Sequence, residues 1–163
     1  MKNKKTVIFM IITVIVIVAA LFLIYKLPVK DTGDINLDGD IKVYLYVSKV
    51  KYINGKAYPD YDIIRYYFAA DSKESKQIKK MISEYKLHHR SKFYINKYGS
   101  MYGEYNISLW FDSVSLGLCE NGSVIVDDEY YTTNRFGRGK NELQNKVYEF
   151  LKTQKGEVIT ATE

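Results

Sequence analysis

Cysteine is almost missing from this chain. Cys119 is the only one among 163 residues, so no internal disulfide can form and a folded domain must hold together by packing. Histidine is confined to His88 and His89, which rules out an HExxH motif or a Cys–His ligand set of zinc-binding spacing. Charge of one sign is also scarce beyond the first few residues. Of 24 Lys and Arg, Lys2, Lys4 and Lys5 lie in the first five positions, leaving 21 against 19 acids, or +2 for the remainder. That is an ordinary mixed surface without the one-sided basic stripe that phosphate binding needs, so no nucleic-acid partner is expected.

What the chain does have is one long apolar run, Thr6 to Tyr25, entered by the lysine cluster and followed by Lys26. As a helix rising about 1.5 Å per residue it would be about 30 Å long, the thickness of a bilayer's hydrocarbon core. No cysteine follows it closely enough to serve as a lipid-attachment site, and it lacks the early glutamate of a pilin-like anchor. A cleavable signal peptide is the alternative, with Val18-Ala19-Ala20 supplying small residues, but the run continues beyond them and exceeds the usual length of such a core. Three lysines before the span, against Lys26 and Lys30 and then several aspartates after it, favour a cytoplasmic N-terminus and an external domain. The chain thus divides into a cytoplasmic tip (1–5), a membrane anchor (6–25), a linker (26–38), a domain (39–154) large enough for one core, and a polar tail (155–163). The expected location is the cell membrane, crossed once, with the lipid bilayer as the partner of residues 6–25.

Beyond the linker the period of apolar residues changes to two. Ile41, Val43, Leu45 and Val47 share one face and Lys42, Tyr44, Tyr46 and Ser48 the other, with a phase shift that suggests a bulge near Ser48. Asn54-Gly55 with Pro59 marks a turn region, and Tyr61 to Ala69 reads as a second strand, giving a hairpin with a somewhat long connection. Asp71 and Glu74 form a capping-box pattern ahead of Ile78, Met81, Ile82 and Tyr85, so a helix is predicted over 72–87. Strands are predicted at 92–96, 105–112, 114–120 and 123–127, the last two joined at Asn121-Gly122. A second helix begins near Asn141, capped with Gln144 and striped by Leu143, Val147, Phe150 and Leu151. The expected fold is α+β, an antiparallel sheet of about six strands in the order ββαββββα, with both helices packed on one face.

Function should then lie on the other face. The strand over 105–112 places Asn106, Ser108, Trp110 and Asp112 together, and Trp110 is its one large aromatic. Tyr44 and Tyr46 occupy the corresponding face of the first strand. Trp and Tyr among Asn and Ser suit stacking on sugars or gripping a peptide, so Trp110, Tyr44 and Tyr46 are the candidate binding residues.

Other motifs lead to no site. Asp34, Asn36, Asp38 and Gly39 match the first half of an EF-hand or dockerin-like calcium loop, but position twelve is Leu45 where a bidentate carboxylate is needed. His88 and His89 are read as histidines on a helix C-terminal dipole, and the acidic run Asp127-Asp128-Glu129 as a solvated loop. Ser48 and Lys51 have S-x-x-K spacing but lie in a strand pattern, where they point to opposite faces. Asp31-Thr32-Gly33 resembles the aspartic-protease triplet but lacks its flanking apolar strands. Cys119 has no base beside it in sequence and reads as a half-buried thiol. Residues 137–140 form a glycine-rich connector that could hold an anion. No metal, cofactor or catalytic residue is expected.

The Lys-, Ile-, Asn- and Tyr-rich composition and the layout of one N-terminal span with a small α+β ectodomain resemble small uncharacterised membrane-anchored surface proteins of low-GC Gram-positive bacteria. The resemblance covers most of the chain but rests on no motif and transfers no site residue. The expected function is a non-enzymatic extracytoplasmic binding module of the immunity or regulatory type, capturing a peptide, toxin or envelope component. The alternative is a structural subunit of a membrane assembly, which the lack of small-xxx-small spacing in the span does not favour; a small enzyme comes last.

Overall fold

A computed structural model describes residues 2–25, 27–89, 104–134 and 141–159. Helix α1, Lys2–Tyr25, is long and apolar enough to cross a membrane, and none of its apolar span is buried against the rest of the chain. The domain that follows is α+β. Its nine described strands form one antiparallel sheet: β1 (Pro28–Asp31), β2 (Ile41–Ile53), β3 (Lys56–Phe68), β4 (Lys86–His89), β5 (Tyr105–Trp110), β6 (Ser115–Cys119), β7 (Ser123–Val126), β8 (Glu129–Thr132) and β9 (Glu157–Ile159). The spatial order is β1-β4-β8-β7-β6-β5-β2-β3-β9. Helices α2 (Lys73–Ser83) and α3 (Glu142–Leu151) bring Ile78, Ile82, Leu143, Val147 and Leu151 into one core with Val43, Leu45, Ile107, Leu109, Leu116 and Leu118 of the sheet. Both helices therefore cover the face that period two assigns to the interior.

The sheet is larger than the six strands expected. Residues 28–35, predicted as linker, belong to the domain: β1 pairs with β4, and Thr32 and Ile35 are buried. The hydroxyl of Thr32 hydrogen-bonds the carbonyls of Ile82 and Tyr85 at the end of α2, so the segment clamps that helix. The tail is likewise recruited, β9 pairing with β3 from Ile63↔Ile159 to Arg65↔Glu157. Helix α2 ends at Ser83 rather than 87. Leu87, fully buried, belongs to β4, whose alternation is too short to be told from one more helical turn. Its cap is Ser72, whose Oγ accepts from Ser75 N–H at 3.0 Å, and Asp71 lies outside it. Asn141 caps α3 as expected, accepting from Gln144 N–H at 3.1 Å. The predicted strand at 92–96 and the connector at 137–140 lie outside the described residues.

No bulge interrupts the first hairpin. β2 and β3 pair in unbroken register from Ile41↔Phe68 to Ile53↔Lys56. The connection is only Asn54-Gly55, at φ 50° and 76°, the two positive values that a type I′ turn demands. The apolar phase changes near Ser48 for a different reason. β5 pairs with β2 only as far as Val47; beyond it the hairpin continues as an arm with Val50, Tyr52 and Tyr58 exposed, and neither face there has a core to specify it.

Candidate functional site

Three strands set out the outer face of the sheet as a grid. Lys42 of β2 is paired with Tyr67 of β3 on one side and Trp110 of β5 on the other. One step along the same face, Tyr44 lies between Arg65 and Ser108, and the next step places Tyr46 between Ile63 and Asn106. The structure thus brings together Trp110, Tyr44 and Tyr46, the three residues singled out in the sequence. They line an open groove of about 820 Å³ with Asp40, Lys42, Tyr67, Phe111 and Asp112. A second hollow of about 520 Å³ lies across Tyr44, bounded by Lys42, Arg65, Tyr66, Tyr67, Lys155 and Glu157.

Trp110 is 52% exposed. Its Nε1–H donates to Ser108 Oγ at 2.8 Å, two residues back on the same face, which folds the indole along β5. With its only donor satisfied, the ring offers the groove its π-face alone. Tyr44 and Tyr46 are half-buried, and burial pushes the Tyr46 hydroxyl above its ordinary pKa. Tyr67 is exposed and donates its hydroxyl to Asp40 Oδ2. Asp40 Oδ1 accepts from Ala70 N–H at 2.8 Å. These two hydrogen bonds, the tyrosine's first, hold the Asp40 carboxyl below its usual range, with Lys42 and Lys79 adding attraction.

Asp112 supplies the second carboxylate. Its backbone N–H donates to Asp38 O, and its side chain lies against Gly39. Among the described residues neither the Asp112 carboxylate nor the Lys42 ammonium forms an ion pair or side-chain hydrogen bond. The groove therefore holds one uncommitted anion and one uncommitted cation beside an exposed indole. Lys42 and Asp112 were both assigned to this face by period two; Tyr67 and Asp40 enter only through the β2–β3 register and could not be found from spacing within one strand.

The outer face is not open throughout. A row crossing the sheet through Asn106, Cys119, Ser123, Thr132 and His88 is buried. Among the described residues both polar atoms of the Asn106 amide lack a hydrogen-bond partner, a cost of about 1–3 kcal/mol for a buried group left so. Cys119 and His88 are separated in this row by β7 and β8, three strand spacings or about 14 Å, so they form no nucleophile–base pair.

The remaining motifs acquire structural roles. His88 and His89 lie in β4 and not on a helix C-terminal dipole; successive strand residues face opposite sides, and the His89 ring stacks on Tyr25 at 5.3 Å between centroids. Asp127 and Asp128, at φ 45° and 67°, form the turn between β7 and β8. The half calcium loop folds on itself through Asp38 N–H to Asn36 Oδ1 at 3.0 Å. Among the described residues no group of three or more His, Cys, Asp or Glu side chains could hold a metal ion. No protein-family model, curated protein or solved structure matches the chain.

Proposed function

We propose that the protein is a membrane-anchored, non-enzymatic binding module that captures a peptide, toxin or envelope component through the groove around Trp110. The observation that carries this reading is the exposed indole, held by Ser108 and surrounded by Tyr44, Tyr46 and Tyr67. An indole half out of water contributes little to folding, whereas aromatic side chains of this kind anchor interfaces. Among the described residues the groove holds no base aligned on a nucleophile, and hydrogen bonds keep the pKa of the Asp40 carboxyl below its usual range, away from proton transfer near neutrality.

The proposed anchor is α1, with the N-terminus in the cytoplasm and the domain outside. It is supported by the bare apolar surface of the helix, whose side chains from Val7 to Ile24 are mostly more than half exposed and need an apolar solvent.

Two measurements test the reading. Acrylamide should quench Trp110 emission efficiently in the full chain held in micelles, and protease added to intact cells should degrade the domain. A shielded Trp110 would remove the groove as a binding surface, and a domain protected until the membrane is broken would reverse the orientation.

A further inference from the structure

We infer that the ligand of the groove is a neutral oligosaccharide, a conclusion that rests on the binding-module reading and narrows it. Asp40 is occupied by the Tyr67 hydroxyl and the Ala70 N–H, and Lys79 Nζ donates to Gly39 O at 3.2 Å. Among the described residues, the charged groups of the groove that remain uncommitted are the Asp112 carboxylate and the Lys42 ammonium, next to the π-face of Trp110.

A cationic ligand would satisfy Asp112 and be repelled by Lys42, while an anionic one would satisfy Lys42 and be repelled by Asp112 and Asp40. Leaving either charge unmatched under a bound ligand carries the desolvation cost of that group. A sugar avoids the conflict, because each hydroxyl both donates and accepts. One hydroxyl can donate to Asp112 while another accepts from Lys42. The C–H face of a pyranose suits Trp110, which offers its π-face and no free donor. Tyr67 and Trp110 stand two strand spacings apart with Lys42 between them, a width of about 10 Å. At about 820 Å³ the open groove exceeds the volume of a single sugar ring, as an oligosaccharide requires.

Trp110 is the only tryptophan in the chain, so its emission reports this groove alone. The full chain, in a detergent without a sugar headgroup, is titrated with neutral tetrasaccharides of glucose, galactose, mannose and N-acetylglucosamine, and with tetralysine and tetra-aspartate. The expected result is a saturable change with at least one tetrasaccharide, insensitive to salt, and none with either peptide. Asp112→Asn and Lys42→Met should each raise its Kd roughly tenfold, the loss of one charge-assisted hydrogen bond, with the denaturation midpoint unchanged. Saturation by a charged peptide alone would overturn the saccharide assignment and leave the groove as a binding site. Silence across all six probes would overturn the assignment as well, while acrylamide shielding of Trp110 would overturn the binding reading itself.

Discussion

Gly39 and the Asp112 carboxylate occupy adjoining space: a β-carbon on Gly39 would fall 2.0 Å from Asp112 Oδ2, and Gly39 holds φ +84°. The groove's uncommitted acid is thus positioned by the backbone that leads into β2. Gly55, at φ +76° in the arm's turn, has nothing within 4 Å of where a β-carbon would go. Gly55→Ala should therefore cost only the left-handed strain of about 1 kcal/mol, and Gly39→Ala about 2 kcal/mol because Asp112 must also move. Urea titration of the two variants checks this, and equal losses would mean that Asp112 yields freely.

The boundary of the domain gives a second expectation. A chain lacking residues 1–26 should be soluble and folded, since β1, Thr32 and Ile35 are retained. Extending the deletion through Ile35 removes a buried side chain and the hydroxyl that binds the Ile82 and Tyr85 carbonyls. We expect a loss of about 3–5 kcal/mol from these terms together, seen as a large drop in the urea midpoint or as aggregation. If both deletions behave alike, residues 27–35 contribute nothing to the fold.

Asn141 joins α3 to the sheet. Besides capping the helix, its Nδ2 donates to Cys119 O at 3.3 Å and Ser123 O at 3.2 Å, and the residue is 1% exposed. Asn141→Ala should cost about 2–4 kcal/mol, the cap together with two buried carbonyls left bare. Asn141→Asp keeps a good cap but replaces the donor with a charge facing those carbonyls, so it should be no better. A stability for the aspartate variant near that of the natural chain would show that the cap alone matters.

The groove also has a pH signature. Asp40 is held below its ordinary 3.8, first by Tyr67 and then by the Ala70 N–H. Its contribution to stability is present above the ordinary value and lost as pH falls through the lowered one. Tyr67→Phe should move the Asp40 titration, followed by carboxyl NMR, back up toward 3.8. At the alkaline end, the hydrogen bond to Glu129 and burial push Tyr131 from 10.0 up to about 12. That neutral hydroxyl stabilises the fold fully below pH 10, and the contribution disappears as pH rises toward 12. Tyr131→Phe should flatten the alkaline part of the stability profile, and an unchanged slope would refute the assignment.

How much of this was legible in the sequence depends on segment length. The alternation of Ile41 to Val47 and the stripes of α2 and α3 identify their elements and buried faces correctly. β1, β4, β8 and β9, each three or four residues long, are too short for a period and exist because the growing sheet edge offers them partners. Trp110, Tyr44 and Tyr46 were readable because residues two apart share a face. Asn106 sits on that same face yet is buried, since polarity alone does not say which part of a face stays open. Tyr67 required knowing that the hairpin turns at Asn54-Gly55, which places it beside Lys42.

The site itself is tested by comparing neighbours on β5. Leu109 is fully buried and Trp110 is 52% exposed, one residue apart on opposite faces. Leu109→Ala should cost about 2–5 kcal/mol through lost burial and the cavity it leaves. Trp110→Ala removes a larger side chain, but one half in water, and gives up the hydrogen bond to Ser108 with the packing of the covered half; we expect about 1–2 kcal/mol. The two variants should separate clearly in a urea titration. Ligand capture should respond in the opposite sense, lost in Trp110→Ala and retained in Leu109→Ala under conditions where that variant stays folded. A Trp110→Ala loss comparable to that of Leu109→Ala would make the indole part of the core and withdraw the groove's anchor.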